Sequence, residues 1–262
     1  MRPQPNDGFA WVQAAGGPAL VCGPMRPLAD HLFTTRAWAL GSGSGEDQEW
    51  APVAAALGVD PAHLVRVHQV HGAAVVVRRA GHPLPSERRR DADIIVSNDP
   101  SVALAIQTAD CVPLLLVDSK SGAVAAAHAG WRGLAAGVPG RAVEALAREF
   151  NSRPEDLVAA IGPCISAPSY EVGADVADRF ASAGFESHQL ERWFSEGERA
   201  GHWQFDGWRA ASDQMESAGV PTGHVHIAAL CTAEYPELLC SYRRNGRRAG
   251  RMAAAIRCRT NT

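Results

Sequence analysis

The sequence lacks any long uninterrupted apolar run. No stretch approaches the roughly 20 apolar residues that are needed to span a bilayer. Residues 1–7 contain no apolar core of the kind that marks a secretory signal. The six cysteines include no CxxC pair, so the sequence indicates no disulfide framework and is typical of a reducing compartment. We therefore expect a cytoplasmic protein with no membrane partner.

Lysine is nearly absent, because Lys120 is the only one among the 25 Lys and Arg residues. The formal net charge is only −3, so the composition predicts no long-range attraction to nucleic acid. Any anion site must therefore use arginine guanidinium groups or backbone amides. The sequence also contains 46% hydrophobic and 20% charged residues in a chain of 262, which is typical of a globular protein.

The hydrophobic pattern predicts strands in series, with helices mostly in the second half of the chain. Residues 98–101 have the composition of a turn, so the middle of the chain is predicted to form an antiparallel meander. Residues 41–45 are predicted to be a flexible loop, and residues 81–90 an exposed connection. This order favours an α+β layered sandwich with mostly antiparallel or mixed sheets. The predicted strands are 64–70, 74–78, 94–97, 102–108, 112–117, 123–128, 157–162, 225–230 and 252–257, and the predicted helices are 46–57, 134–150, 172–181 and 208–218.

Three short segments beside these strands carry side chains that bind metals. They are residues 68–72 (His-Gln-Val-His-Gly), 108–111 (Thr-Ala-Asp-Cys) and 128–133 (His-Ala-Gly-Trp-Arg-Gly). Two imidazoles and one thiolate are three ligands for zinc, and a three-ligand site leaves a fourth position for water or substrate. The sequence therefore predicts a catalytic metal site.

A predicted hairpin brings two of these ligands together. If Val117 pairs with Ala123, Val112 lies opposite His128, and a small shift places Cys111 opposite His128. Directly opposed residues have Cβ atoms roughly 4.5–5.5 Å apart, so one ion can contact both side chains. In an extended strand His68 and His71 point to opposite faces, so only one of them should reach the ion.

Other residues offer further candidate sites. Arg36 follows the expected end of a strand, and Arg132 and Arg243 lie in turns, where guanidinium groups can meet an anion. A second possible metal cluster comprises His224, His226, Cys231 and Cys240, although His224 and Cys231 fall on opposite faces of a continuous strand. For Cys164 we favour a structural role.

With these residues in place, the chain resembles the laccase-domain proteins of polyphenol oxidase type, the YfiH-like family that is also described as zinc-containing purine nucleoside phosphorylases. The segment after Arg36 departs from the Gly-rich loop that is usual in that family. The resemblance implies one α-β-β-α sandwich domain over residues 1–262, with residues 1–30 as an N-terminal lead-in. The matching segments are 33–36, 69–72, 108–113, 128–133, 161–163, 170–173, 241–244 and 250–251.

The resemblance assigns the metal ligands to His71, Cys111 and His128, with zinc as the expected ion. It implies phosphorolysis of adenosine, guanosine, inosine and methylthioadenosine, accompanied by deamination of adenosine. Purine nucleosides and phosphate are thus the expected partners, and the oligomeric state stays open. The expected catalytic residues are the three metal ligands and Arg36. The expected substrate-binding residues are Arg36, Arg132, Arg243 and Glu171. Asp110 is expected to orient one of the metal ligands.

Two other activities stay open. Copper binds His₂Cys sites that have a weak axial Met, so a copper-dependent polyphenol oxidase is one alternative. No methionine lies within a few residues of the three ligands in the sequence. The other is a metal-free hydrolase in which Cys111 is the nucleophile and His128 the base. A non-catalytic module that zinc merely stabilises is a third possibility.

Overall fold

Continuously apolar sequences form central strands that are buried on both faces. The computed structural model describes residues 2–41, 46–83 and 89–259. In the strand Val112–Asp118, Leu114 and Leu116 pack towards helices, whereas Leu115 and Val117 pack towards a second sheet. The strands of the described residues are β1 Phe9–Ala14, β2 Gly17–Cys22, β3 Ala29–Thr34, β4 Leu64–Val65, β5 Val75–Arg78, β6 Ile94–Ser97, β7 Ala103–Thr108, β8 Val112–Asp118, β9 Val124–Ala129, β10 Leu157–Ile161, β11 Glu171–Gly173, β12 Phe194–Glu196, β13 His202–Phe205, β14 Val225–Ile227 and β15 Met252–Cys258.

These strands form two mixed six-stranded sheets and one small antiparallel sheet. The first large sheet has the order β1-β2-β3-β15-β7-β4, and only the β4–β7 pair is parallel. The second has the order β14-β10-β8-β9-β6-β5, with parallel pairs at its two edges. The small sheet has the order β11-β13-β12. Side chains from the facing sides of the two large sheets form one shared apolar core.

Helices cover the outer faces of both large sheets. Trp50 and Val53 of α1 pack on the first sheet, and Val143 of α3 and Met215 of α6 pack on the second. The layers therefore run helix, sheet, sheet, helix, and the predicted α-β-β-α sandwich is confirmed. The helices of the described residues are α1 Glu46–Ala56, α2 Trp131–Ala135, α3 Val138–Phe150, α4 Ala174–Ser182, α5 Ser187–Trp193, α6 Gly207–Ser217 and α7 Tyr242–Asn245.

The predicted meander is wrong between β6 and β7. The turn at residues 98–101 carries the chain from the second sheet to the first, so these strands are not paired with each other. Instead β6 pairs with β9 and β7 with β15. Both strands are almost entirely buried, and a local turn signal cannot tell which buried partner each will choose.

Several predicted boundaries also change. The strand predicted over 64–70 ends at Val65, and the helix predicted over 134–150 is divided because Gly137 adopts a left-handed conformation between α2 and α3. Within the N-terminal residues 1–30, β1, β2 and the start of β3 belong to the first sheet. The predicted loop at 41–45 and the connection at 81–90 fall largely on residues 42–45 and 84–88, which lie outside the described residues. None of the described helices is long and apolar enough to cross a membrane.

Candidate metal centre

Three chain segments that are distant in sequence meet beside the ends of the central strands. Cys111 lies in the turn from β7 to β8, His128 is near the end of β9, and His71 lies in the loop between β4 and β5. One ligand atom from each of the three lies within 4.8 Å of the others. The Cys111 Sγ is 3.9 Å from the His71 Nε2, and the two imidazole rings meet edge to face with centroids 4.8 Å apart. The structure thus brings together all three predicted ligands.

The hairpin places these ligands in a register that differs from the predicted one. Val117 pairs with Val124 rather than Ala123, so His128 lies opposite Pro113. The same register, continued by one residue, sets Cys111 opposite Gly130. Because side chains alternate, His128 and Gly130 share a face of β9, and Cys111 therefore reaches His128 diagonally.

Gly130 leaves open the space between the ligands. A Cβ atom at this position would lie 3.0 Å from the Cys111 Sγ and 3.0 Å from the His71 Cδ2. Its backbone torsions, φ −70° and ψ 176°, are open to any residue, so glycine is needed here for space and not for conformation.

Asp93 is the buried anion that organises the centre. It immediately precedes β6, and the β6–β9 register sets it opposite His128, whose Nδ1 donates to its Oδ1 over 2.8 Å. The side chains of this pair are only 4% and 0% exposed. The hydrogen bond leaves the Nε2 of His128 to face the other ligands. Sequence reasoning missed Asp93, because nothing in the local pattern indicates that β6 will lie beside β9.

The same carboxylate also shapes the loop that carries His71. Backbone N–H groups of Val70, His71 and Gly72 donate to Asp93 over 3.2, 3.1 and 2.7 Å. His71 itself has φ 58°, a left-handed conformation that is uncommon for a residue with a side chain. The extended strand predicted for this segment is therefore wrong, since the backbone amides bond to a carboxylate instead of a neighbouring strand.

His68 takes no part in the centre. Its Nδ1 lies 2.8 Å from the Asp91 Oδ1, and the two side chains are 67% and 74% exposed. As predicted, only one of the two histidines lies with the other candidate ligands, although a bent loop and not strand alternation is the reason.

The electrostatics of the centre favour a thiolate in the metal-free chain. Burial alone would raise the pKa of Cys111, but the charge of His128 and hydrogen bonds from both imidazoles outweigh it and lower the pKa to about 6. Burial would likewise lower the pKa of His128, but the Cys111 thiolate and the Asp93 carboxylate raise it to about 9. For Asp93, the hydrogen bonds it accepts outweigh burial and keep its pKa below the ordinary value.

The donor set fits a borderline-soft divalent ion. Zinc bonds of about 2.3 Å to sulfur and 2.0–2.1 Å to nitrogen place the two atoms about 3.6 Å apart in a tetrahedron. The observed 3.9 Å between the Cys111 Sγ and the His71 Nε2 needs a contraction of only a few tenths of an ångström. Within the described residues, this is the one group of three or more His, Cys, Asp or Glu side chains placed to share an ion. The alternative cluster of His224, His226, Cys231 and Cys240 does not form such a group.

The three ligands open into a cavity of about 640 Å³. Arg132, Arg243 and Arg251 line it together with the rings of Trp131 and Tyr170. The Arg132 guanidinium lies 4.3 Å from the Trp131 ring centroid, and the Arg243 guanidinium 4.9 Å from that of Tyr170. The cavity thus combines a metal-ligand group, fixed positive charge and aromatic surface.

Asp110 connects Cys111 to the segment that carries Arg243. Its Oδ1 accepts from the Thr232 hydroxyl over 2.5 Å, and its Oδ2 accepts from the Arg243 backbone N–H over 2.6 Å. Asp110 also has φ 86°, so the turn before Cys111 is bent sharply. The residue that bonds to the imidazole of a candidate ligand is Asp93, whereas the carboxylate of Asp110 bonds to Thr232 and to the segment that carries Arg243.

Two of the predicted site residues lie outside the cavity lining. Glu171 is in β11, where its carboxylate accepts from both the backbone and the side chain of Arg199. These contacts hold its pKa below the ordinary value. Arg36 donates to the Leu239 carbonyl over 3.1 Å, and its Nε is buried without a partner.

Fold and site together define an α+β sandwich protein with a candidate catalytic metal centre between its sheets. The chain belongs to the family described as multi-copper polyphenol oxidoreductase laccase, whose model matches residues 47–259. It is 38% identical over 240 residues to the purine nucleoside phosphorylase of Deinococcus radiodurans, an alignment that covers 86% of this chain and 88% of that one. It is also 40% identical over 164 residues to the enzyme of the same name from Bacteroides thetaiotaomicron, covering 63% of this chain and 60% of that relative.

Solved structures share the whole fold. YlmD from Geobacillus stearothermophilus matches with a TM-score of 0.82 and 28% identity, over 95% of this chain and 99% of that one. The hypothetical protein YfiH from Bacillus licheniformis matches with a TM-score of 0.84 and 23% identity, over 97% of this chain and 100% of that one. At 23% identity, the match to the Bacillus licheniformis protein supports the fold alone.

Proposed function

We propose that this protein is a zinc-dependent purine nucleoside phosphorylase. The observation that carries the proposal is the group of His71, Cys111 and His128 in the lining of a cavity that three arginines also line. Relatives that are named purine nucleoside phosphorylases, at 38% and 40% identity, support the phosphorylase part of the proposal. The proposed substrates are adenosine, guanosine, inosine and methylthioadenosine, and adenosine deamination is proposed as an accompanying activity.

Phosphorolysis demands that an anion be held against the anomeric carbon. A phosphate oxygen forms the bond to C1′ of the ribose as the bond from C1′ to the base nitrogen breaks. That nitrogen keeps the electron pair and gains the proton that phosphate loses, so the products are ribose 1-phosphate and the free base. Guanidinium forks suit this task, because they bind phosphate in two-point fashion at any working pH.

Arg132 and Arg243 have the best positions for phosphate. Within the described residues, the Arg132 guanidinium donates no hydrogen bond, so its donors are available to a ligand. Arg243 uses one nitrogen on the Glu171 carbonyl, 3.0 Å away, and keeps the rest of its fork. Arg251 lines the same cavity and is a third candidate. For Arg36 and Glu171, the substrate role rests on the family resemblance alone.

The remaining chain groups would position the nucleoside and the ion. His71, Cys111 and His128 would hold zinc, with Asp93 fixing the tautomer of His128. A bound zinc ion would supply Lewis-acid chemistry and make a water molecule more acidic, which is the requirement of deamination. Trp131 and Tyr170 offer ring surfaces to a purine, a contact that tolerates different bases because every base has a π-face.

One assay tests the proposal. Metal-analysed protein is incubated with adenosine or inosine, with and without phosphate, and the products are separated by chromatography. Ribose 1-phosphate that forms only with phosphate, and disappears in Cys111→Ser, is the expected result. Guanosine and methylthioadenosine are assayed in the same way, the second for 5-methylthioribose 1-phosphate. Absence of the sugar 1-phosphate with all four nucleosides would overturn the proposal. Inosine formed from adenosine without phosphate would establish the deaminase activity separately.

A copper-dependent oxidase is the second candidate, because the family description names that activity. Against it, no methionine is among the described residues that line the cavity. Met252 accepts from the Cys240 N–H and Met215 lies in the helix-covered core, so neither is an axial ligand. Elemental analysis of protein expressed without added copper, followed by a phenol oxidation assay, separates the two candidates. A metal-free Cys111 hydrolase would instead keep its activity in the presence of chelator.

A further inference from the structure

A second cavity lies at the outer face of the first sheet, beside the C-terminal end of α1. It has a volume of about 480 Å³ and is formed where residues 55–58 pass the ends of β2, β3 and β15. This volume is within the range of small-molecule sites, roughly 300–1,000 Å³. The charged residues that line it are Arg26, Asp30, Arg257 and Arg259, and His31 forms part of its wall.

The charge of this cavity has the opposite sign to that of the whole chain. Arg26, Arg257, Arg259 and Asp30 leave a formal charge of +2 around it, whereas the protein carries −3. His31 adds no positive charge at neutral pH, because burial lowers its pKa to about 4. A concave surface with a local excess of guanidinium groups concentrates anions.

The three arginines differ in how much of their donor capacity is used. Arg257 donates to the carbonyls of Pro100, Leu57 and Gly58 through its Nε and one terminal nitrogen, which fixes it in place. Arg259 donates to the Asp30 Oδ1 over 3.0 and 2.7 Å and, through its third nitrogen, to the Pro27 carbonyl over 3.3 Å. Within the described residues, the Arg26 guanidinium donates no hydrogen bond. The site therefore has one anchored cation, one that is partly neutralised and one whose donors are all free.

This cavity is separate from the metal centre. Arg251, which immediately precedes β15, lines the metal-centre cavity, whereas Arg257 lies near the other end of this strand and Arg259 directly follows it. Six residues of extended chain span about 20 Å. A ligand in one cavity is thus out of contact with a ligand in the other.

We propose that the second cavity binds a diphosphate group, carried by inorganic pyrophosphate or by a nucleoside diphosphate. Arg26 offers a free guanidinium fork, which binds phosphate through paired donors. The fixed charges of Arg257 and Arg259, whose donors are largely used within the protein, add to the attraction for an anion that spreads its charge over several oxygens. The volume exceeds what a single phosphate requires. This inference does not depend on the proposed phosphorylase activity.

The test follows the ring signals of His31, which report on this cavity even if the ligand also enters the metal centre. Full-length metal-loaded protein is titrated with pyrophosphate by NMR, and His31→Gln assigns the signals. We expect Arg26→Glu to weaken binding at least tenfold and Asp30→Asn to tighten it several-fold. Arg153→Glu reverses an exposed charge outside both cavities and should leave the affinity unchanged.

Parallel titrations with ADP and with inorganic phosphate identify the source of the group. Tighter binding of ADP than of pyrophosphate assigns a nucleotide, and the reverse order assigns the free anion; both support the proposal. Absence of any His31 shift with all three ligands would overturn it. Equal weakening by Arg26→Glu and Arg153→Glu would also overturn the proposal, because general electrostatics would then explain the binding. A phosphate affinity equal to that of pyrophosphate would overturn it as well.

Discussion

Replacing Asp93 by Asn is the sharpest test of how this centre is built. The carboxylate accepts four hydrogen bonds, from the His128 imidazole and from the backbone N–H groups of Val70, His71 and Gly72. Each oxygen accepts two of them. Asparagine has almost the same shape but presents one oxygen and one NH₂ group. In either orientation of the amide, two of the four N–H groups would therefore point at the NH₂ group, which cannot accept a hydrogen bond.

The magnitude follows from that count. A buried group left without its partner costs about 1–3 kcal/mol, so two such groups cost about 2–6 kcal/mol of the free energy of unfolding. Metal affinity should fall as well, by about 10–100-fold, which is typical when the partner of a ligating histidine is removed. If the amide nitrogen faces His128, the ring must accept at Nδ1 and carry its proton on Nε2, the nitrogen that the metal needs.

The chain offers a matched control. Asp91 contacts His68 at the same 2.8 Å, but both side chains are mostly exposed. An exposed pair of this kind contributes little to stability. Asp91→Asn should therefore leave both quantities within experimental error of the wild type. The two variants are compared by urea unfolding of the metal-free protein and by competition for zinc against a chromogenic chelator.

A wild-type zinc affinity in Asp93→Asn would refute the argument that this carboxylate orients His128. Equal losses in Asp93→Asn and Asp91→Asn would also refute it, because burial would then have no influence. A loss of stability with unchanged zinc affinity would limit the role of Asp93 to holding the His71 loop.

Three further predictions concern single residues. Gly130→Ala should lower zinc affinity at least tenfold, because its Cβ would lie 3.0 Å from the Cys111 Sγ. Gly140→Ala should leave zinc affinity unchanged, because the nearest atom to its Cβ is 3.8 Å away. An equal effect of both substitutions would contradict the steric argument. Burial lowers the pKa of His31 to about 4, so the unfolded chain binds the proton first. The contribution of neutral His31 to the free energy of unfolding should thus be complete above about pH 6.5, and about 3 kcal/mol should be lost as the pH falls from about 6.5 to 4. Urea titrations across this range should find that this part of the pH dependence is missing in His31→Gln. In metal-free protein at pH 7, iodoacetamide should modify Cys111, whose pKa is lowered to about 6, and spare buried Cys164, whose pKa is raised. Mass spectrometry before and after zinc loading checks this prediction. Equal labelling of both cysteines would contradict it.

The central strands could be predicted because their sequences are distinctive. The strand predicted over 94–97 coincides with β6. The one over 112–117 ends one residue before the end of β8, and the one over 123–128 is displaced from β9 by one residue at each end. Such runs must be buried on both faces wherever they lie. Their partners could not be predicted, because β7 and β6 are equally apolar and yet belong to different sheets.

The ligands could be proposed from the sequence, but their support could not. His71, Cys111 and His128 are chemically conspicuous residues near strand ends, and the family resemblance selects His71 over His68. Asp93 is conspicuous only after β6 is known to lie beside β9.

The sequence therefore determined which chemical groups are present. These are two imidazoles, one thiolate, positive charge carried almost entirely by arginine, and apolar runs long enough for buried strands. Position was decided by tertiary structure. The one-residue change from the Val117–Ala123 register to the observed one moved Cys111 from opposite Ala129 to opposite Gly130, and the missing side chain of Gly130 left space for the ligands to meet. The physical reason is that side-chain identity is a local property, whereas pairing and register depend on how whole faces of the sheets pack together.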